Sequence, residues 1–232
     1  AAGRHLWAWQ VAVIPVVILA WHLTYLAVGD YILASPYEAA ATLAGNLQKP
    51  SFIANGLATL QGLAMAFLLS TAVGLVGGVF LGLRGDWGGA LAPVLYALYS
   101  MPKVALYPIF LLVFGLELSS RVAFAWFHGV FPMLLLTMEG VREVDRVYLK
   151  VARAYRVPFW KQLRHVILPA AVPSIVVALR ISFSLTFIGL IVGEMFSSHG
   201  GLGFELMRSM SLLQVNHLLA LLILILFLAL AP

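Results

Sequence analysis

The 232-residue sequence contains no cysteine and little charge, since Asp, Glu, Lys and Arg make up 10% of its residues. The absence of cysteine excludes disulfides, thiolate metal sites and a cysteine nucleophile. A soluble domain is about 25% charged and about 45–50% apolar, whereas this chain is 62% hydrophobic with a mean hydropathy of +1.01. A soluble chain of this length cannot hide so much apolar surface from water. The composition therefore predicts a membrane protein.

Motifs for several common chemistries are also missing. The sequence has no GxxxxGK[ST] loop to hold ATP phosphates and no HExxH pair to bind zinc, and its six histidines never form a tight pair. We therefore expect no metal and no other cofactor in this chain. The formal charge of +5 is expected to mark cytoplasmic loops and not a nucleic-acid partner.

Long apolar runs predict an all-α, polytopic membrane protein with six transmembrane helices, because a spanning helix needs about 20 mostly apolar residues. The second run is overlong, which predicts a tilted or protruding helix, and the third is interrupted at Pro102-Lys103. Ser35, followed by Pro36, predicts the start of a short surface helix. The six predicted spans cover residues 9–28, 52–83, 88–115, 122–138, 170–196 and 217–232.

The distribution of Lys and Arg predicts the orientation of these spans. With the N-terminus in the cytoplasm, the inside segments hold nine Lys and Arg residues and the outside segments hold three. Cytoplasmic loops of membrane proteins carry such an excess of positive charge. Both ends of the chain are therefore expected in the cytoplasm, and residues 139–169 are expected to form a cytoplasmic loop.

The second span carries small residues at every fourth position. Residues four apart are neighbours on a helix surface, and small side chains let helix backbones approach closely in lipid. This small-residue stripe predicts a packing face, either within the chain's own bundle or against a second copy. Its members are Gly62, Ala66, Ser70, Gly74, Gly78 and Gly82.

The cytoplasmic loop is predicted to form a helix, a break and a second helix. Asp145 is a suitable N-cap for the first helix, and Pro158 ends it and can open the next one. Apolar and aromatic side chains lie on one face of the first helix at helical spacing. This face either lies on anionic lipid or docks in the groove of a partner protein. Its members are Val147, Tyr148, Val151 and Tyr155.

The loop resembles the pattern E-A-A-x3-G-x9-I-x-L-P of the permease subunits of binding-protein-dependent ABC importers. Ala152, Leu168 and Pro169 match this pattern, whereas Lys150 and Arg156 stand where it has Glu and Gly. The chain looks closest to the sulfonate, taurine and nitrate permeases, a branch that also includes transporters of pyrimidine-type vitamin precursors. Further matching stretches are Met101-Pro102, Ala105-Leu106, Pro108, Phe114-Gly115, Phe131-Pro132, Gly140-Val141, Leu179-Arg180, Glu194 and 200–203.

The resemblance implies a type I ABC importer permease fold, with residues 1–232 forming one transmembrane domain in the bacterial inner membrane. The chain itself would catalyse nothing, because two copies of a cytoplasmic ATPase would hydrolyse ATP. A second permease subunit, expected to be a second copy of this chain, would complete the path. A binding protein outside the membrane would deliver the solute. The residues implied in ATPase docking are Val147, Tyr148, Val151, Ala152, Tyr155 and Arg156.

Charged residues within the predicted spans are candidates for the translocation path, because a charge in the membrane is costly and faces protein or water. Arg180 either attracts an anion in the path or hydrogen-bonds backbone carbonyls. Lys103 either lines the path at the Pro102 bend or extends to the interface. His128 is interpreted as a packing histidine and not as a substrate ligand. The path candidates are Lys103, Arg180, Ser184 and Glu194.

The predicted function is therefore ATP-driven import of a small solute, such as a sulfonate, nitrate or another organic or inorganic anion. A pyrimidine- or vitamin-type precursor is the alternative substrate. A secondary transporter or channel is the rival class, but we find no inverted repeats that would indicate one. An intramembrane enzyme using His128 with Ser182 or Ser184 is a second rival, although no nucleophile-elbow motif is present.

Overall fold

The computed structural model describes residues 2–29, 32–196 and 200–230, and every regular element within these ranges is helical. This confirms the all-α prediction. The end of the last predicted span, at Pro232, lies outside the described residues. The helices are α1 (Ala2–Val28), α2 (Pro36–Asn46), α3 (Pro50–Leu83), α4 (Gly85–Ser100), α5 (Tyr107–Phe114), α6 (Leu118–Arg142), α7 (Arg146–Ala154), α8 (Phe159–Gln162), α9 (Leu168–Met195), α10 (Leu202–Ser211) and α11 (Val215–Ala229).

A helix or a helix pair occurs at each of the six predicted spans. Helices α3 and α6 and the helical segment Phe159–Met195 are each long and apolar enough to cross a membrane. A bent pair, α4 with Lys103–Phe114, meets the same requirement jointly. The segments Val13–Val28 and Val215–Ala229 are shorter apolar helices. Within the described residues, length and composition thus support three spans, or four with the bent pair, and six spans stay a prediction.

The predicted interruption of the third span at Pro102-Lys103 is confirmed. The two halves of this span meet at 86°, and a 3₁₀ turn, Lys103–Leu106, joins them. Pro102 lacks a backbone N–H and cannot continue the helical ladder. Its carbonyl oxygen instead accepts a hydrogen bond from the Ala105 N–H at 3.2 Å, which starts the turn.

The predicted surface helix α2 begins with a reciprocal cap. The Ser35 hydroxyl oxygen accepts a hydrogen bond from the Glu38 N–H at 3.1 Å, and the Glu38 carboxylate accepts one from the Ser35 N–H at 3.2 Å. Pro36 takes the first helical position, where no N–H is needed. The helix packs against α11, and Asn46 at its end forms a 2.7 Å hydrogen bond with His217.

The centre of the subunit is a bundle of α3, α6 and α9. At one end, Arg121 of α6 reaches the segment that follows α9. At the other end, Arg142 of α6 reaches Gly85, just after α3. Successive long helices therefore run in opposite directions, as alternating membrane crossings require. The largest apolar cluster includes Phe52, Leu63, Ala66, Ala125, Phe187, Leu190, Leu202 and Leu221.

Candidate functional site

Helix α7 presents an exposed apolar and aromatic face, which we call the coupling surface (Val147, Tyr148, Val151 and Tyr155). At least half of each of these side chains is exposed, and Tyr155 reaches 80%. The Asp145 carboxylate accepts a hydrogen bond from the Val147 N–H at 2.8 Å, which confirms Asp145 as the cap of this helix. Ala152, also predicted to dock, is buried within the subunit.

The opposite side of α7 is held against the ends of the long helices. Val144, which precedes α7, and Leu149 within it pack into an apolar cluster beneath the loop. This anchoring explains why α7 turns its aromatic face outward, since helical spacing places Leu149 away from Tyr148 and Tyr155. The other members of the cluster are Val79, Leu83, Val141, Leu163, Ile167, Ala171 and Ile175.

Arg156 ends α7 in a left-handed backbone conformation, with φ of +53°. The Val157 N–H reaches back to the Ala152 carbonyl oxygen at 2.9 Å. This bond defines a Schellman turn, in which the left-handed position usually belongs to glycine. The loop pattern that this segment resembles has Gly at the position of Arg156. Arg156 thus retains the glycine geometry and bears the steric cost of a side chain there.

Lys103 lies buried at the 86° bend, although its side chain is charged. Its ammonium donates a hydrogen bond to the Tyr99 carbonyl oxygen at 2.6 Å. It also lies 5.0 Å from the centre of the Tyr99 ring and 5.7 Å from that of Phe131. Among the described residues no carboxylate pairs with it. The bend therefore holds a positive charge that aromatic faces stabilise only in part.

Arg180 lies on the exposed side of α9, one turn from the half-buried Ser184. The Ser184 hydroxyl donates to the Arg180 carbonyl oxygen within the helix at 3.1 Å. The Arg180 guanidinium makes no hydrogen bond or ion pair with any residue in the described ranges. Among the described residues, Arg180 therefore has no backbone carbonyl partner of the kind considered for it in the sequence analysis.

Glu194 is only 1% exposed and does not face a surface of this subunit. One of its carboxylate oxygens accepts hydrogen bonds from the Thr59 hydroxyl at 2.9 Å and from the Gly203 N–H at 3.0 Å. The same Thr59 oxygen accepts the Leu202 N–H at 2.8 Å. Glu194 and Thr59 thus connect the start of α10 to α3 through hydrogen bonds. Glu194 differs in this respect from Arg180, which is exposed.

A second set of hydrogen bonds, which the sequence analysis did not predict, also holds the start of α10 and the residues before it against the bundle. Asn55 accepts the Gly201 N–H at 3.1 Å and donates to the Glu205 carboxylate at 2.7 Å. Arg121 donates to the Gly200 carbonyl oxygen at 3.0 Å. The sequence does contain a pattern that predicts these contacts, because Asn55 lies one helical turn before Thr59 in an otherwise mostly apolar helix. Two polar residues on one face of such a helix indicate buried partners.

The small-residue stripe of α3 lies inside the subunit and packs mainly along α6. A Cβ atom built at Gly74 would lie 2.6 Å from Met133 Cβ, and one at Gly78 would lie 2.6 Å from the Leu134 carbonyl oxygen. The Ser70 hydroxyl donates to the Trp126 carbonyl oxygen at 3.2 Å. Gly62 instead faces Leu190 of α9. The remaining members are Ala66, which is fully buried, and Gly82, which faces Val141.

His128 packs at the centre of α6, as expected for a structural histidine. Its Nδ1 lies 3.0 Å from the Phe124 carbonyl oxygen, and its ring meets that of Phe124 at 4.5 Å between centroids. Close approach of Gly189 completes its surroundings. Within the described residues no group of three or more His, Asp and Glu side chains could hold a metal ion.

An acid-lined cavity of about 300 Å³, which sequence reasoning missed, lies at the other end of the bundle from Glu194. It opens between α6 and α9 and includes Glu139, Glu143 and Ser174 in its lining. The Tyr96 hydroxyl hydrogen-bonds Glu139 from α4. Glu139 lies in the last turn of α6, and Glu143 is the residue that directly follows this helix.

Comparison with known proteins gives consistent matches. A family model described as "Binding-protein-dependent transport system inner membrane component" matches residues 70–231. The putative aliphatic sulfonates transport permease protein SsuC of Bacillus subtilis is 29% identical, with 94% of this chain and 80% of that protein covered. The nitrate import permease protein NrtB of Synechococcus elongatus is 26% identical, with 84% and 73% covered.

Two further similarities bear on substrate and fold. The formylaminopyrimidine transport permease protein ThiX of Halalkalibacterium halodurans is 27% identical, with 84% of this chain and 78% of that protein covered. A structure of the MetNI methionine ABC transporter in an inward-facing conformation superposes with a TM-score of 0.65. It covers 75% of this chain and 87% of its own at 17% identity, which shows a shared fold.

Proposed function

The chain belongs to the family of binding-protein-dependent transport system inner membrane components, and from this premise we propose that it forms half of the import path for a small anion. It is a multi-pass permease subunit of an ABC importer. The observation that carries the proposed coupling mechanism is the exposed coupling surface on α7. An apolar face held outward in this way needs a partner to cover it.

The partner proposed for the coupling surface is a cytoplasmic ATPase, with one copy for each of two permease subunits. Amphipathic helices dock into grooves through apolar anchors at helical spacing, and aromatic anchors often dominate the binding energy of an interface. Tyr148 and Tyr155 would supply these anchors. ATP hydrolysis would then occur in the ATPase, and α7 would pass its movement to the bundle through the cluster around Leu149.

Cross-linking tests this docking directly, because the chain has no native cysteine to interfere. Cysteine at Val151 or Tyr155 should cross-link to the ATPase of the assembled importer. Tyr148→Ala and Tyr155→Ala should each weaken ATPase binding by about tenfold or more, since truncating a central anchor often costs about 2 kcal/mol. Tyr37→Ala is the matched control, because Tyr37 is 81% exposed but lies on α2.

An importer that assembles normally, never cross-links at either position and tolerates both tyrosine changes would refute the docking proposal. Cross-links to lipid alone would instead assign the coupling surface to the membrane interface.

The substrate proposed is an anion such as a sulfonate or nitrate. The relatives SsuC and NrtB are named for those substrates. Lys103 at the bend and Arg180 on α9 are cations without a carboxylate partner among the described residues. An intramembrane cation with this environment attracts a negatively charged solute into the path. Ser184, one turn from Arg180, would add a hydroxyl to the same surface.

Reconstituted importer with its binding protein and ATPase tests the substrate class. Uptake should be competed by nitrate or short alkane sulfonates, and Lys103→Met and Arg180→Gln should each lower ATP-driven uptake at least tenfold. Binding of the ATPase should be unchanged, since both residues lie away from the coupling surface. Lys150→Gln removes an equal charge from an exposed position outside the spans and serves as the control, with binding of the ATPase measured for every variant.

Uptake of a formylaminopyrimidine in preference to all anions would support the alternative substrate, which the relative ThiX is named for. Uptake that needs no ATP would instead indicate a secondary transporter or channel.

The proposed assembly places residues 1–232 in one membrane domain with both ends in the cytoplasm. A second copy of the chain would complete the path, and an external binding protein would approach the end that carries α2 and α10. The nine-to-three distribution of Lys and Arg supports this orientation.

A further inference from the structure

An apolar groove of about 820 Å³ opens on the side of the subunit near the cytoplasmic loop. One wall is the last two turns of α3, and the other is α8 with the π-helical turn Leu163–Ile167 that leads into α9. Val76, Phe80 and Leu83 line the first wall, and Trp160 lines the second. The groove is distinct from the coupling surface, because it contains no residue of α7.

The groove is not covered by any part of the chain that the structure describes. Val76 is 70% exposed, Phe80 is 55% exposed and Trp160 is 76% exposed. The wall formed by α3 belongs to a helix long and apolar enough to cross the membrane. In the proposed topology, the open side of the groove would face hydrocarbon along α3 and the water interface at Trp160, a position typical of tryptophan.

One cation lines the interfacial end of this groove, and two more lie close by in the sequence of the opposite wall. Arg84, which follows α3, is part of the lining and exposed. Its guanidinium makes no hydrogen bond or ion pair with the described residues, including Asp86 in the next turn. Lys161 and Arg164 are exposed residues of the helical segment that forms the opposite wall, although they are not part of the lining itself. The groove therefore combines an apolar channel with cations at its interfacial end.

We propose that this groove binds an anionic phospholipid of the cytoplasmic leaflet. An acyl chain would lie against Val76, Phe80 and Leu83, and the phosphate would meet Arg84 with Lys161 or Arg164 opposite. Basic residues next to the cytoplasmic leaflet attract anionic lipid, and burial of acyl methylene groups adds to the binding. The proposal rests on the cytoplasmic orientation of the loop and is independent of the solute carried.

A second copy of the chain fits this groove less well than a lipid. In a two-fold symmetric contact, the same patch of each subunit meets its counterpart. Such a contact would bring two copies of Arg84 and of Lys161 together, and the groove lining contains no acid to separate them. A lipid phosphate supplies the negative charge that the groove lacks.

Native mass spectrometry of the assembled, delipidated importer tests the proposal. Phosphatidylglycerol and phosphatidylcholine with identical acyl chains are titrated separately. The wild type should retain phosphatidylglycerol at least fivefold better, and Arg84→Gln should weaken that retention about fivefold, as expected for one cation next to an anionic surface. Lys150→Gln removes an equal charge from the same loop but not from the groove, and it should retain the lipid like the wild type.

A second variant tests the apolar part of the site. Val76→Trp fills the groove without changing charge and should reduce binding of both lipids, with assembly of the importer verified in the same spectra. Equal retention of the two lipids by the wild type, or unchanged retention in Arg84→Gln, would overturn the proposal. A photo-reactive amino acid placed at position 160 gives a further test. Labelling of the ATPase or of a second permease subunit, with no labelling of lipid, would also overturn the proposal.

Discussion

Arg156 occupies a backbone conformation that glycine adopts without strain and arginine does not. The left-handed conformation costs an L-residue about 1–2 kcal/mol, and at Arg156 it closes the turn after α7. We expect Arg156→Gly to stabilise this turn by about 1 kcal/mol and to keep ATP-driven uptake at or above the wild-type rate. Hydrogen exchange of the α7 amides and uptake by the reconstituted importer would measure the two effects.

Arg156→Val is the informative counterpart, because a β-branched residue is a true outlier at positive φ. It should loosen the end of α7 and lower uptake. Should Arg156→Gly lower uptake as much as Arg156→Val does, the arginine charge and not the turn would be what the loop requires.

Thr59 connects two elements through one hydroxyl group, which donates to Glu194 and accepts the Leu202 N–H. Thr59→Val keeps the shape of the side chain and leaves the buried Leu202 N–H without its acceptor. We expect a loss of about 1–3 kcal/mol in stability, seen as a lower Tm in detergent. Thr24→Val is the control, since the Thr24 hydroxyl bonds only the Ala20 carbonyl oxygen of its own exposed helix. Equal Tm values for the two variants would contradict the connecting role of Thr59.

Helix α3 contains 34 residues and is about 51 Å long at the usual rise per residue, so it exceeds the roughly 30 Å hydrocarbon core. Its packing depends on the small-residue stripe. Gly78→Leu would drive a side chain into the Leu134 carbonyl oxygen and Thr137. Such overpacking costs about 1–3 kcal/mol or more, and we expect a lower yield of folded subunit by size-exclusion chromatography.

Gly56→Leu is the matched control on the same helix, because a Cβ atom at Gly56 meets nothing within 4 Å. It should give a wild-type yield. If Gly78→Leu folds as well as Gly56→Leu, α3 and α6 are not in the close contact that the structure shows.

The orientation of the whole subunit can be tested with single cysteines, because the sequence contains none. Gln48 and Lys150 are both exposed and lie at opposite ends of the bundle in the proposed topology. In intact cells, a membrane-impermeant maleimide should label Gln48→Cys. It should label Lys150→Cys only after the membrane is permeabilised. The opposite pattern would invert the topology, and labelling of both in intact cells would exclude the three crossings predicted between them, because two positions on the same side are separated by an even number of crossings.

Features that depend on neighbouring residues were predictable from the sequence. Apolar composition indicated the class, Pro102 indicated the bend, and Ser35 and Asp145 indicated helix starts that the structure confirms. Each depends on a backbone donor, a cap or a run of side chains within one or two helical turns. The family followed from the same kind of local pattern, which the matching family model confirms.

Features that depend on distant residues required the tertiary structure. The position of Glu194 within a predicted span makes it a candidate for the translocation path. In the structure it instead accepts a hydrogen bond from Thr59, 135 residues earlier, inside the subunit. The stripe of α3 was compatible with two partners, and the packing of α6 assigns it to the subunit's own bundle. Residue spacing encodes which side chains share a face, but the face that meets each partner depends on how whole helices pack. That packing is set by the sum of many weak contacts between helices, and no local pattern contains it.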